Sequence, residues 1–291
     1  MTPALSIIVR TLGSSRLGEA LETLAVQTRR DFEVVVVDMS GGANGPILER
    51  FTPRLPALRV LPLPPSARPK ALNAGIAAAS APVIGILDDD NLYDPEQIEI
   101  LLRGLASTNA DYVYTGVRHV TYSPNGERIA SREVALPFAF DKLLMGNFIY
   151  ATGSAYRKSL WERLGGYDER FEVFEDWELL IRAAQAGRIE FLGVVAGESR
   201  KFTGIDGPST FELEIARVRR CHAGVYWKHR RYYLSRRYRD EFRRSYNHHF
   251  TQRTPARKRP WAITVRGWRL EILADLAAWF VHNLRDGARS Q

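Results

Sequence analysis

Four short runs of branched apolar residues, interleaved with helical segments, restrict most strongly what this chain can fold into. They are Leu5 to Val9, Phe32 to Val37, Leu58 to Leu61 and Val83 to Leu87. The last is apolar at every position rather than at every second one, the pattern of a strand buried on both faces. Between the runs, Leu17, Leu21, Leu24 and Ala25 keep helical spacing behind Ser15 as a cap. Ile47, Leu48 and Phe51 give a short helix, and the alanine-rich Lys70 to Ala79 gives a third. Pro62 to Pro69 reads as a connector. Strand and helix in regular alternation predict an α/β fold, a mostly parallel central sheet flanked by helices. The spaced glycines of a dinucleotide-binding turn do not follow the first run, which argues against a Rossmann dehydrogenase.

The fourth run ends in Asp88, Asp89 and Asp90. Asp94 and Pro95 read as a helix cap and first-turn proline, followed by Ile98, Leu101, Leu102 and Leu105 on one helical face. The three aspartates therefore fall at the carboxyl end of a central strand, where open α/β sheets bind their ligands. Adjacent carboxylates repel one another, and desolvating them is costly without a cation. Hard oxygen donors favour Mg²⁺ or Mn²⁺ over Zn²⁺. The competing reading is a solvated acidic turn.

Beyond this point, Tyr112 to Val117 reads as a strand and His119 to Ile129 as a hairpin turning at Pro124, Asn125 and Gly126. Phe138 to Phe148 is predicted helical, and Ile149 to Tyr156 is predicted as a strand. A short helix from Ser159 stops at Gly165 and Gly166. Asp176 opens a further helix carrying Leu179, Leu180 and Ile181, where the dipole favours a carboxylate. Ile189 to Leu192 closes this part as a last strand.

Taken together, these residues resemble a family 2 glycosyltransferase with the A-type, nucleotide-sugar-binding fold. Four stretches carry the resemblance: Leu24 to Asp38, with Gln27, Thr28 and Asp31 to Glu33; Asn73 to Ile76; Leu87 to Asp90; and Leu164 to Glu169 followed by Glu175, Asp176 and Trp177. The resemblance covers about residues 4–202. It implies a metal-dependent, inverting enzyme that moves a sugar from a nucleoside-diphosphate sugar, a UDP-sugar foremost, to a hydroxyl of a glycan or lipid-linked acceptor. Its cofactor would be Mn²⁺ or Mg²⁺, with Asp90 and Asp88 at the metal. Thr11, Asp38, Arg68, Lys70, Asn73, Asp88 and Asp89 would meet the nucleotide-sugar. Asp176 would be the catalytic base, and Glu175, Trp177, Gly165 and Gly166 would shape the acceptor pocket. The chain departs from the pattern twice. Met39 stands where many relatives have a second acid, and Ser199 to Phe202 replaces a stretch ending in a metal-binding histidine. Asp206, in the Thr203 to Ser209 loop, is a candidate substitute.

Charge separates a second part of the chain. The net charge is +8, yet residues 221–260 alone hold 12 Lys/Arg against 2 Asp/Glu. The reading is a catalytic domain over residues 1–202 and a mobile loop with a basic, aromatic helical extension over 203–291. The extension has three readings: contact with anionic lipid, nucleic-acid binding, or a solvated helix. The membrane leads, and no nucleic-acid partner is expected. Leu270 to Phe280 forms an amphipathic stretch that would lie in an interface, meet a second copy in a homo-oligomer, or pack on its own domain. The one cysteine, Cys221, fits a reducing compartment. No signal peptide or apolar run of about 18 residues is visible. A cytoplasmic enzyme, peripheral on the inner membrane face and making surface polysaccharide, is therefore expected. The alternatives are a non-catalytic sugar-nucleotide-binding or scaffold protein, and a nucleotidyltransferase.

Overall fold

The computed structural model describes residues 2–203, 215–233, 264–265 and 268–269. The first seven elements alternate as β1 (Leu5–Thr11), α1 (Leu17–Ala25), β2 (Phe32–Asp38), α2 (Gly45–Phe51), β3 (Leu58–Pro62), α3 (Arg68–Ala78) and β4 (Val83–Asp88). There follow α4 (Gln97–Thr108), β5 (Tyr112–Tyr122), β6 (Arg128–Val134), α5 (Phe140–Met145), a 3₁₀ turn (Ala151–Gly153) and β7 (Ser154–Arg157). Then come α6 (Lys158–Leu164), α7 (Glu175–Ala186) and β8 (Ile189–Phe202). One sheet runs in the order β3-β2-β1-β4-β7-β5-β6, with β8 also paired to β5. β1 to β4 pair in parallel and β8 is parallel to β5, while β6 and β7 run antiparallel to their neighbours. This is the mostly parallel, helix-flanked sheet that the alternation implies.

Burial explains the apolar runs. Leu5, Ile7 and Val9 of β1 face Leu17, Leu21 and Leu24 of α1 in one core with Phe32, Val34, Val83 and Ile98. On the opposite face, α3 lies so close that a Cβ on Gly75 would stand 2.6 Å from Ile8 and 2.8 Å from Val37. Each such fully buried aliphatic side chain contributes roughly 1.5–3 kcal/mol. Two polar residues of the recognised motifs are structural. Glu33 accepts from Ser6 at 2.5 Å and from the Ser80 amide at 2.6 Å, fixing the start of β4. Gln27 donates to the Asp94 carbonyl at 2.7 Å and accepts from the Ile98 amide at 3.1 Å, so it caps α4 from a distance.

That contact corrects one expectation. Asp94 does not cap α4 through its side chain, because its carboxylate is held by Arg118 at 2.5 and 2.9 Å. Ser14 rather than Ser15 meets the start of α1, accepting from the Arg16 amide at 3.2 Å. The connector ends earlier than expected, since Arg68 and Pro69 already belong to the first turn of α3. The run from Ile149 breaks into a 3₁₀ turn and a four-residue strand. The last strand extends to Phe202, passing Gly193 and Gly197 at φ of +72° and +78°. Two register irregularities against β5 absorb these glycines. The sequence Ser199 to Phe202 therefore lies within the strand.

The chain divides into two compact units: Met1–Phe140 with Asn147–Glu169 and Glu175–Gly207, and Asp141–Gly146 with Arg170–Phe174 and Pro208–Gln291. In the second, α8 (Ile215–Lys228) and α9 (Arg230–Tyr233) are described, with Arg217 ion-paired to Glu172. His222 packs edge-on to Phe174 at 5.5 Å, and Cys221 is buried. A two-residue pair, β9 (Thr264–Val265) and β10 (Trp268–Arg269), is antiparallel. The loop with Asp206, most of the basic aromatic segment, and the stretch Leu270 to Phe280 lie outside the described residues. No described helix is long and apolar enough to cross a membrane.

Candidate active site

Parallel register gathers the strand tips on one edge. Thr11 pairs with Asp38, and Arg10 pairs with Asp88, across neighbouring strands. Side chains at paired positions project to the same side, so Arg10 reaches Asp88 with an N–O distance of 2.7 Å. Burial would raise the Asp88 carboxyl, but Arg10 and Arg68 outweigh it and hold the group below its ordinary range. Asp89 behaves differently. Burial pushes it up, against a hydrogen bond from Thr11. Thr11 is itself buried and accepts from the Gly13 and Ser14 amides at 3.2 and 3.4 Å, which shapes the turn after β1. The Asp90 carbonyl accepts from Arg200 Nε, while the Arg200 amide donates to Asn91 at 2.8 Å. The distal end of β8 thus braces the acidic turn.

A second acidic group stands at the start of α7. Glu175 is 5% exposed and its carboxyl lies 4.0 Å from Arg68. Burial, aided by Asp176 and opposed by Arg68, pushes it up to about 7. Asp176 is half-buried, and one oxygen accepts from Asn147 at 2.8 Å while the other accepts from the Trp177 amide at 2.7 Å. Burial raises this carboxyl too, with Asp88 adding to the effect and Trp177, Arg68 and Asn147 opposing it. Arg68 is exposed by surface area, yet it sits in the field of Glu175, Asp88, Asp176 and Asp90, which strengthen its hold on its proton. One guanidinium is therefore shared between the two carboxylate groups.

The glycine pair is fixed from two sides. Gly165 and Gly166 end α6 with φ of +71° and +80°. The Asn73 amide donates to the Tyr167 carbonyl at 2.9 Å and to Glu169 at 3.0 Å, and it accepts from the Tyr167 amide at 2.8 Å. A Cβ on Gly166 would fall 2.9 Å from the Asn73 oxygen, so this clamp requires glycine. From α7, Arg182 donates to the Leu164 and Gly166 carbonyls at 2.7 and 2.9 Å and pairs with the buried Glu178.

The structure thus gathers Asp88, Asp89, Asp90, Thr11, Arg68, Glu175 and Asp176 at one edge and assigns other work to several residues. Asn73, expected at the nucleotide, has both amide protons on the Tyr167 segment. Asp38 accepts from Asn44 at 2.8 Å and from the Ser40 amide at 3.1 Å, so its carboxylate holds its own loop. Trp177, expected in the acceptor pocket, is 1% exposed and so is a core residue of α7. Lys70 is exposed on α3. Phe202, in place of the expected histidine, stacks on Tyr122 at 5.0 Å and lies under the Arg16 guanidinium at 3.4 Å. Arg10, Asn147 and Arg200 were not singled out from sequence.

The donor set suits a hard divalent cation. Asp88 and Asp90 offer carboxylate oxygens, the donor type such an ion prefers, while the Asp89, Glu175 and Asp176 carboxyls are raised chiefly by burial. Among the described residues, no three His, Cys, Asp or Glu side chains converge closely enough to hold such an ion alone. Further oxygens would have to come from a bound ligand or water.

A family model described as glycosyl transferase family 2 matches residues 6–165. This match spans more than half of the chain, and the protein belongs to that family. It is a glycosyltransferase with the A-type fold. The uncharacterized glycosyltransferase YwdF of Bacillus subtilis (strain 168) is 27% identical over 190 residues, covering 64% of this chain and 70% of the relative. Among solved structures, S. aureus TarS 1-349 in complex with UDP-GlcNAc matches with a TM-score of 0.61 at 19% identity, over 85% of this chain and 72% of that one. The mannosyltransferase PcManGT from Pyrobaculum calidifontis, in complex with GDP-Man and Mn²⁺, matches with a TM-score of 0.57 at 20% identity, over 79% and 65%. At these identities the structural likeness establishes the fold.

Proposed function

We propose that this enzyme transfers a sugar from a nucleoside-diphosphate sugar to a hydroxyl of a glycan or lipid-linked acceptor, with inversion, using Asp176 as the base. The observation that carries this reading is the pairing of two carboxylate groups across Arg68, one at the tip of β4 and one at the start of α7. Asp88 and Asp90 would hold a Mn²⁺ or Mg²⁺ ion together with the donor. When bound, the ion supplies Lewis-acid stabilisation of the departing diphosphate. The chain's own residues do the rest. Thr11 and Asp89 sit at the donor edge of the sheet, and Arg10 and Arg200 hold Asp88 and the Asp90 backbone in place. Asp176, oriented by Asn147, takes the acceptor proton as its oxygen attacks the anomeric carbon. A single base opposite the leaving group gives one displacement, and hence inversion.

UDP-sugars are the favoured donors, because a solved structure of this fold carries UDP-GlcNAc. GDP-mannose is the next to try, given PcManGT. We place residues 1–202 as the donor-binding and catalytic domain and residues 203–291 as an extension at the inner membrane face. The charge excess in residues 221–260 supports the latter. Flotation of the full chain with anionic against neutral vesicles checks this, and equal recovery would count against it. For the reaction, a panel of nucleotide-sugars with Mn²⁺, Mg²⁺ or chelator is assayed for release of nucleoside diphosphate. The expected result is turnover of one donor class with a divalent ion and loss with chelator. No release from any donor would overturn the reading.

A further inference from the structure

Behind Asp176 lies a group of buried hydroxyls that the reaction described above does not use. Asp176, Tyr112, Tyr156, Tyr167 and Ser154 line one cavity, closed on the apolar side by Ile86, Leu179 and Leu180. Tyr112 and Tyr156 stack face to face at 5.4 Å, and the Tyr156 and Tyr167 hydroxyls approach to 3.5 Å. Tyr167 is the residue that Asn73 clamps through its backbone, so its position is fixed from α3. Tyr112 is hydrogen-bonded to Ser154 and Tyr167 to Tyr156, a polar pattern that phenylalanine would fill without any need for partners. The cavity measures about 10 Å³, roughly the least room one water needs, and its lining pairs these five polar residues with a larger apolar surface.

We propose that this cavity holds one water through which the tyrosine hydroxyls donate to Asp176, making Tyr112 and Tyr167 positioning residues that keep the base ionised and aimed. The inference rests on the reading of Asp176 as the base. Burial pushes the Tyr112, Tyr156 and Tyr167 hydroxyls above the ordinary phenol range, so they stay neutral beside Asp176. The charged and titratable groups facing Asp176 are Arg68 from α3, Asp88 from the tip of β4 and Glu175 from its own helix, with the neutral Asn147 amide beside them. None of these lines the cavity.

Tyr167→Phe and Tyr112→Phe remove one oxygen each and keep the ring packing. A carboxylate that loses a donated hydrogen bond protonates more readily, so the acid limb of kcat/KM should move upward by about one pH unit. Above that limb, kcat should fall only a few-fold. Ala151→Leu, which fills the cavity while leaving every hydroxyl, should move the limb in the same direction. Circular dichroism and melting of the full chain check that each variant is folded. An unchanged acid limb in folded, active Tyr167→Phe and Ala151→Leu variants overturns the inference and leaves the glycosyltransfer reading standing. Absence of any transfer by the wild-type chain across the donor panel overturns both.

Discussion

The two carboxylate groups at the sheet edge have similar composition and opposite environments. At the tip of β4, Asp88 has Arg10 at 2.7 Å in register beside it, and the guanidiniums of Arg10 and Arg68 keep it ionised despite burial. At the start of α7, Glu175 has Arg68 at 4.0 Å and the weaker field of Arg10, and burial still lifts it to about 7. Asp176 is raised with it, chiefly by burial. Carboxylates that must carry charge at all times are matched with fixed cations. Burial without a close fixed cation brings a carboxylate's proton affinity towards neutral pH. The contrast is between Asp88, lowered by its two guanidiniums, and Asp89, Glu175 and Asp176, all raised by burial.

Breaking the comparison on the acceptor side should have the largest effect. Asp176→Asn keeps the hydrogen-bonding shape and removes the proposed base, so kcat should fall by roughly 10²–10⁴-fold in a transfer assay. Glu175→Gln probes the raised carboxyl through stability. Unfolded Glu175 titrates near 4.5, whereas in the fold it titrates at about 7. The folded state therefore binds the proton more tightly, so this contribution is fully present below pH 4.5 and is lost as pH rises through about 7. Relative to wild type, Glu175→Gln should gain roughly 2–4 kcal/mol between pH 4.5 and pH 8 in denaturant titrations. A pH-independent difference would contradict the assignment. On the donor side, Arg10→Ala leaves Asp88 without its nearest cation and should cost about 1–3 kcal/mol of stability. Asn73→Ala, which only loosens the clamp on Tyr167, should cost about 1–2 kcal/mol and raise the acceptor KM more than it lowers kcat.

The sequence made the scaffold legible where the physics is local. Phe32 to Asp38 and Val83 to Leu87 are strands because a continuous apolar run is stable only between two covering layers. Gly165 marked a helix end because it adopts a left-handed turn. Asp176 stands in the first turn of an amphipathic helix, but only the family resemblance marks it out from an ordinary helix-start carboxylate. What was missed depends on partners far along the chain. Asp94 looks like a cap until Arg118 is brought to it, and the cap itself comes from Gln27, 71 residues before Ile98. Arg10 gains its role from strand register, Asn147 from the approach of an irregular segment to α7, and Arg200 from a strand that continues past two glycines. Asn73 belongs to a recognisable motif, yet the motif reflects a fold contact to Tyr167.

The division of labour between the two acidic groups is tested most directly by isothermal calorimetry. A nucleoside diphosphate, with UDP first, is titrated into wild type, Asp90→Asn and Asp176→Asn in the presence of Mn²⁺. Our account predicts that Asp176→Asn binds within a few-fold of wild type, whereas Asp90→Asn loses about tenfold or more of its affinity. Equal weakening by both substitutions, or loss confined to Asp176→Asn, would contradict it.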